Sequence, residues 1–498
     1  MDFYLTKTDY QTARRCLKRL WNEKKGNWIP EQTVSNKKNA FEGNRFNDAV
    51  HAKYPNGVMV GWKHGSLEVA IVKTQELLEA KDIVLFEATF EFEGLLCMAD
   101  VLIKNGNNLT LIEAKSSNNP KITKKDDFEH VYDAAFQTYV MTKCGYKPNK
   151  IELLHANGDC IWPDIEQLFL LEDITELVEE RLGEIEITAP QFVGHCNSDK
   201  EPTMAIGKFC KKPADKKCPH INNCWSLPIN KTIHDLPRLR ADITELLRSI
   251  DVHMIEDIPA DIELSDSLRH KVNLIQNETE YLDKEKATDM LSRLEYPLHF
   301  FDFETYNPAV PMWEKSRPWQ QVPFQYSLHI LHENGEVEHF EFLQMDAPDP
   351  RPAMIDAMKA HFKSQGTVVV YYKPFEKSRL KEMATDFPEH TDFLMSIHDR
   401  VWDQMDIFSQ CVEDHRLALS VSIKVVLPTY IPELSYSDLD VQKGDQAQLE
   451  WRKMIDIKWQ PTKEKLADAL KAYCELDTWA MVKLHQYVEE QTTTGNKV

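Results

Sequence analysis

The stretch from Leu85 to Lys115 constrains the fold more than any other. LFEATFEFE alternates apolar and polar side chains, GLLCMADVLI is a second apolar run, and LTLIEAK returns after the Asn-Gly pair of KNGNN. Alternation at period two specifies strands, and Asn-Gly is a strong hairpin signal. An antiparallel meander is therefore expected. On its last strand Leu109, Leu111, Glu113 and Lys115 share one face. Closing the hairpin sets Asp100 beside Glu113. Burying a carboxylate and an ammonium there is unfavourable unless both have partners. The residues alone leave two accounts open. One is an ion pair on an exposed sheet face. The other is an oxygen-rich pocket for Mg²⁺ or Mn²⁺, with Lys115 aimed at a phosphate. DDFEHVYDAAFQTYVMTKCGYK then reads as a helix carrying Gln137 and ending near Gly145.

A second α/β pattern begins near residue 297. PLHFFDFETY is a strand, VPFQYSLHILHENGEVEHFEFLQ a hairpin with another Asn-Gly turn, and GTVVVYYKPFEKSRLKEMA a buried strand running into a helix. The C-terminal run PTKEKLADALKAYCELDTWAMVKLHQYVEEQ is helical. Asp302 and Glu304 lie two apart on one strand face, and Tyr473 and Asp477 lie four apart on one helix face. A strand D-x-E with a helix Asp can cage two divalent cations about 4 Å apart while a tyrosine orients water. The plainer account of D-x-E is an exposed acidic pair. Glu376, after the central strand, is a further acid, with Asp403 and Asp406 as substitutes.

Between these patterns, residues 227–295 are charged and helical in texture and carry no catalytic-looking cluster. With 498 residues, two or three domains are expected. We divide the chain into residues 1–226, a connector at 227–295, and residues 296–498.

Ten cysteines are present. Three fall in GKFCKKPADKKCPHINNCW as C-x7-C-x5-C, namely Cys210, Cys218 and Cys224, and Cys16 sits in a basic N-terminal helix. Four thiolates can hold zinc or a [4Fe–4S] cluster, and the paired C-x2-C of zinc ribbons is missing. His220 is a substitute ligand. No apolar run approaches the roughly 18 residues of a membrane span, and no secretory leader is visible, so a cytoplasmic protein without a membrane partner is expected. The net charge of −21 disfavours whole-surface binding of nucleic acid but allows a local basic channel. The basic stretches at 14–26 and 208–218 flank the thiols.

Asp100, Glu113-Ala114-Lys115 and Gln137 together resemble the RecB-like branch of the PD-(D/E)XK nucleases. The resemblance implies that Asp100, Glu113 and the Ala114 carbonyl bind the cation, that Lys115 is catalytic and that Gln137 supports the site. The branch carries a Tyr four residues after the Gln, where this chain has Met141, with Tyr139 off register. It also carries an upstream His, for which His51 and Asn47 are candidates. Cys16 with the later trio is similar to the iron–sulfur clasp of AddB and the CRISPR adaptation nucleases, implying a [4Fe–4S] cluster. Asp302-Phe303-Glu304, with Tyr473 through Asp477, resembles the DEDD exonucleases of the RNase H-like fold, which carry Asp where this chain has Glu376. The phrase SIKVVLPTYIPELSYSDLDVQKGDQA, at 422–447, completes a resemblance to a bacterial family that fuses the two halves. That family brings no assigned substrate. The implied function is metal-dependent phosphodiester hydrolysis of nucleic acid, DNA ahead of RNA, with 3′-to-5′ polarity at the second site. The alternatives are RNA processing, or a binding or redox-sensing scaffold with inactive sites.

Overall fold

The alternating run forms the expected strands. A computed structural model describes residues 3–29, 33–61, 66–211, 217–226, 228, 230–458 and 460–493. In chain order its first elements are α1 (Lys7–Arg15), α2 (Leu17–Lys24), α3 (Val34–Lys53), β1 (Val58–Met59) and α4 (Leu67–Leu77). The meander β2 (Asp82–Phe92), β3 (Leu95–Asn105) and β4 (Asn108–Lys115) follows. After it come α5 (Glu129–Lys143), β5 (Lys150–Ala156), β6 (Phe169–Asp173), α6 (Thr175–Asn197) and the single turn α7 (Ile221–Cys224). The strands make one six-stranded sheet in sequence order. β2 to β4 are antiparallel and β4 runs parallel to β5. Gly106 closes the hairpin at φ +59°, as an Asn-Gly turn requires.

Both faces of this sheet are covered. Leu85, Leu102 and Leu111 pack with Phe136 and Val178 of α5 and α6. Phe86, Val101 and Ile112 pack with Phe46 and Val50 of α3. Leu85 and Ala88 face the same cluster although three apart, because Glu87 takes φ +53° and shifts the strand's phase.

Two local expectations are corrected. The N-terminal basic helix is two helices. Cys16, extended at φ −159° and ψ 100°, ends α1 and caps α2, accepting the Arg19 N–H on its sulfur. The Gln137 helix starts at Glu129, after a 3₁₀ turn and Phe128 at φ +50°, rather than at the aspartates before it.

A further group of elements runs from α8 (Ala241–Ser249), α9 (Asp266–Gln276), β7 (Glu280–Leu282) and α10 (Lys284–Leu291) to β8 (Leu298–Tyr306), β9 (Val322–Leu331) and β10 (Val337–Leu343). It continues through α11 (Pro350–His361), β11 (Val368–Val370), α12 (Lys373–Asp386), α13 (Thr391–Asp399), β12 (Val401–Asp403), α14 (Met405–Gln410) and β13 (Val412–Asp414). Helices α15 (Ile423–Tyr430), α16 (Gly444–Met454) and α17 (Gln460–Thr493) finish it. The five-stranded sheet has the order β10-β9-β8-β11-β12, antiparallel at β10-β9-β8 and parallel from β8 through β11 to β12. Phe301, Phe303 and Tyr326 pack against α11 to α13. Leu298 and Phe300 pack against Met481 and Val482 of α17. Alternation therefore turns Asp302 and Glu304 towards α17. Gly366, at φ +93°, precedes β11, and a Cβ there would lie 2.0 Å from the Pro297 carbonyl oxygen, so only glycine fits beside the start of β8.

This mixed α/β chain divides into two compact units, one of residues 1–225 with 308–320 and one of 226–307 with 321–498. The stretch expected as a helical connector also supplies β7, paired antiparallel with β13, and it clusters with the second unit. Among the described residues no helix is long and apolar enough to cross a membrane.

Candidate metal centres

In the first unit the structure gathers Asp100, Glu113, Lys115 and Gln137 on the α5 face of the sheet. Glu113 is fully buried, which removes the account of an ion pair on an exposed face. Its carboxylate receives Lys115 Nζ at 2.8 Å and Lys7 Nζ at 2.8 Å, and Gln137 Nε2 donates to it as well. Asp100 Oδ2 accepts the Ala114 N–H at 2.9 Å, and its other oxygen lies 3.4 Å from Lys7 Nζ. Asp133, one helical turn before Gln137, takes Lys115 Nζ at 2.6 Å. Burial raises Asp100, and the neighbouring Glu113 adds to the rise. Burial alone would raise Glu113 too, but Lys115 and Lys7 outweigh it and hold the carboxyl far below its usual range. Both ammonium groups are raised, since the acids around them outweigh burial.

Lys7 and Asp133 were not singled out from the sequence. Asp133 was discoverable, because its i, i+4 spacing to Gln137 puts both on one face of α5. Lys7 reaches Glu113 across 106 positions, and no local pattern encodes that. Asn47 and His51 line a cavity of about 660 Å³ bordered by α3, α4 and β2, where His51 packs on Phe86 at 4.3 Å. Met141 and Tyr139 are buried in the helix packing.

The second unit brings Asp302 and Glu304 of β8 to Asp477 of α17. One carboxylate oxygen from each lies within 4.8 Å of the others. They border a cavity of about 510 Å³ that Lys424 and Tyr473 also line. Tyr436 donates to Asp477 Oδ1 at 2.6 Å, and Lys424 Nζ lies 3.3 Å from the Tyr473 hydroxyl. Burial raises Asp302, Glu304 and Asp477. Mutual repulsion adds to the rise of Asp302 and Glu304, and Lys424 offsets it only in part. Glu376, in the first turn of α12, is 2 % exposed, and burial followed by Asp302 raises it strongly. Its Oε2 has no hydrogen-bond partner. Burial and the nearby acids push the Tyr473 hydroxyl far above its usual range, so it stays protonated.

The substitutes for Glu376 are spent elsewhere. Asp403 caps α12, accepting from Tyr372 N at 2.9 Å and Lys373 N at 2.8 Å. Asp406 pairs with Lys373 at 2.9 Å. Lys424 and Tyr436 were not picked out individually, although both fall in the 422–447 phrase.

All four thiols are half-buried and near enough to influence one another. Cys210 and Cys16 each disfavour ionisation of Cys218 and of Cys224. The Cys218 N–H donates to the Cys210 carbonyl at 3.0 Å. His220, the substitute ligand, is turned to Glu23, with Nε2 2.8 Å from Oε1. Residues 212–216 of the second basic stretch lie outside the described residues.

Known sequences resemble this chain in part. Residues 299–422 match the family model described as a domain of unknown function, DUF2779, which includes Asp302, Glu304 and Glu376 but stops short of Asp477. The uncharacterized protein MG366 homolog of Mycoplasma pneumoniae is 33 % identical over 216 residues, covering 39 % of this chain and 32 % of that protein. Uncharacterized protein MG366 of Mycoplasma genitalium is 30 % identical over 215 residues, 38 % of this chain and 32 % of that one. Uncharacterized protein UU173 of Ureaplasma parvum is 29 % identical over 233 residues, 41 % of this chain and 33 % of its own length. The matched stretch thus spans about a third of each of these relatives.

Proposed function

We propose that the chain is a metal-dependent nuclease of two catalytic units, acting on DNA ahead of RNA. The first is a RecB-like PD-(D/E)XK unit with an iron–sulfur clasp. The second is an RNase H-like DEDD-type unit that cuts from a 3′ end. The observation that carries this reading is the convergence of Asp302, Glu304 and Asp477 within 4.8 Å. These acids, Glu304 and Asp477 buried and Asp302 half-buried, repel one another and, without a cation, favour protons over charge. The partnerless buried oxygen of Glu376 fits the same need. A divalent cation such as Mg²⁺ or Mn²⁺, when bound, would supply Lewis acidity and ionise water at neutral pH.

The chain's own residues do the rest. Asp302, Glu304, Asp477 and Glu376 hold the cation. The protonated Tyr473 hydroxyl orients the attacking water. Lys424, exposed at the cavity mouth, offsets charge growing on the phosphate oxygens. In the first unit Asp100, Glu113 and the Ala114 carbonyl are the ligands and Lys115 the catalytic ammonium, with Gln137 fixing the Glu113 carboxylate. The mutual influence of Cys16, Cys210, Cys218 and Cys224 fits a four-thiolate centre. The missing C-x2-C pairs of a zinc ribbon favour a [4Fe–4S] cluster over zinc. Such a cluster would tie the α1–α2 break to the segment around α7.

The deciding experiment digests end-labelled single-stranded DNA with Mg²⁺ or Mn²⁺, using anaerobically purified wild type beside Lys115→Ala and Asp302→Ala. Cleavage lost in one variant assigns the active unit, and the labelled end reports polarity. No cleavage by wild type with an intact cluster overturns the DNA reading and leaves RNA or a scaffold.

A further inference from the structure

A second group of ligands lies on the far part of the β9–β10 hairpin. His329 and His339 are direct cross-strand partners, with rings stacked at 4.3 Å. Glu475 approaches from α17. One nitrogen of each imidazole and a Glu475 oxygen lie within 4.8 Å of one another. None of the three belongs to the carboxylate centre. His329 is 4 % exposed, whereas the His339 and Glu475 side chains are 27 % and 51 % exposed. The trio is therefore anchored in the core on one side and open to water on the other.

One assignment of donors satisfies every hydrogen bond around the trio. The Thr478 hydroxyl donates to the Glu475 carbonyl at 3.1 Å. With that proton spent, Thr478 Oγ1 accepts from His329 Nδ1 at 2.8 Å and from Ser327 Oγ at 2.7 Å. Ser327, its own proton spent, accepts from His339 Nε2 at 3.0 Å. The lone pairs left over are His329 Nε2 and His339 Nδ1. The latter faces Glu475 Oε1 at 3.9 Å, acceptor against acceptor. A proton on His339 would satisfy one pair of these acceptors. Two imidazoles, each with one nitrogen held by a hydroxyl, beside a carboxylate within 4.8 Å are the parts of a metal site with a supporting shell.

We propose that His329, His339 and Glu475 bind a borderline divalent cation of the zinc class, separate from the hard-cation centre at Asp302. Two imidazoles and one carboxylate are a zinc ligand set with a fourth position left for water. Bound there, the cation ties the β9–β10 hairpin to α17.

The test uses the full chain, stripped of metal and handled without oxygen, titrated with Co²⁺ and then Zn²⁺. Glu475→Gln preserves shape at an exposed position, and His339→Ala removes the open imidazole. Wild type should bind one more cobalt ion than either variant. That ion's visible band should lack thiolate charge transfer, and Zn²⁺ should displace it. Asp302→Asn and Cys218→Ser should both retain it. Zinc affinity in Glu475→Gln should fall at least tenfold, with its melting curve confirming that it folds. Equal cobalt counts and spectra in wild type, Glu475→Gln and His339→Ala would overturn the proposal and leave a protonated His339–Glu475 pair.

Discussion

In the first unit the buried acids have lysines set against them: Lys7 bridges Asp100 and Glu113, and Lys115 bridges Glu113 and Asp133. In the second, Asp302, Glu304 and Asp477 share Lys424, while Arg379 acts on Glu376 alone among these acids. The first cluster is compensated within the chain and is built to persist without an added ion. The second is not, so it must take up protons or a cation. Two groups of carboxylates that look alike in one-letter code thus make opposite demands on their surroundings. The sign of the shift, down at Glu113 between its two lysines and up at Asp302, records the difference, although Asp100, 3.4 Å from Lys7, rises as well.

The largest break in this comparison should come from activity. Asp302→Asn is expected to slow cleavage from a 3′ end by about 10³-fold, roughly 4 kcal/mol of barrier, measured on end-labelled DNA. An unchanged rate would put the activity elsewhere. Next is stability. Glu113→Gln leaves Lys7 and Lys115 facing a neutral amide, and should destabilise the chain by about 3–5 kcal/mol in urea unfolding. A loss below about 1 kcal/mol would show that the lysines find water instead.

The pH dependence should then run in opposite directions at Glu113 and at the second unit's acids, with the raised Asp100 sharing the sign of the latter. The raised carboxyls of the second unit bind more protons folded than unfolded, so their contribution is full below about pH 4 and is lost as pH rises through their raised values. The depressed Glu113 contributes above about pH 4 and loses that contribution as pH falls. Metal-free Asp302→Asn should therefore flatten the loss towards neutral pH, and saturating Mg²⁺ should do the same for wild type. Identical stability–pH curves for wild type and Asp302→Asn would sink this account. A smaller effect is expected at Lys7, whose ammonium contacts Asp100 at 3.4 Å and Glu113 at 2.8 Å, two residues that would hold a cation. Lys7→Met should tighten Mn²⁺ binding at the first centre by about tenfold, or 1.4 kcal/mol, read by calorimetry. Unchanged affinity would mean the ammonium and the cation occupy different places.

Much of this architecture was legible because it is written locally. Strand alternation and the two Asn-Gly turns located β2 to β4 and β8 to β10, and the i, i+4 spacing located Tyr473 and Asp477 on one helix. What escaped was written across long separations or in backbone angles. Lys7 meets Glu113 only after the chain closes on itself. The break at Cys16 depends on the extended conformation of one residue, with no proline or glycine to announce it. The αL backbone at Glu87 is equally silent in composition. Asp403 looked like a ligand because a capping carboxylate and a metal-binding one share the same letter.

Helix α17 spans 34 residues. Along it, Asp477 meets β8 while the next residue, Thr478, is held by Ser327 and His329. A helix is a stiff rod with a single angle of roll, and a carboxylate carried about 6 Å from its axis moves about 1 Å for every 10° of turn. A displacement of that size can slow a reaction by about a hundredfold. One hydroxyl and one imidazole behind the rod therefore act as its detent, and the accuracy of Asp477 is set by residues that never touch the reacting atoms.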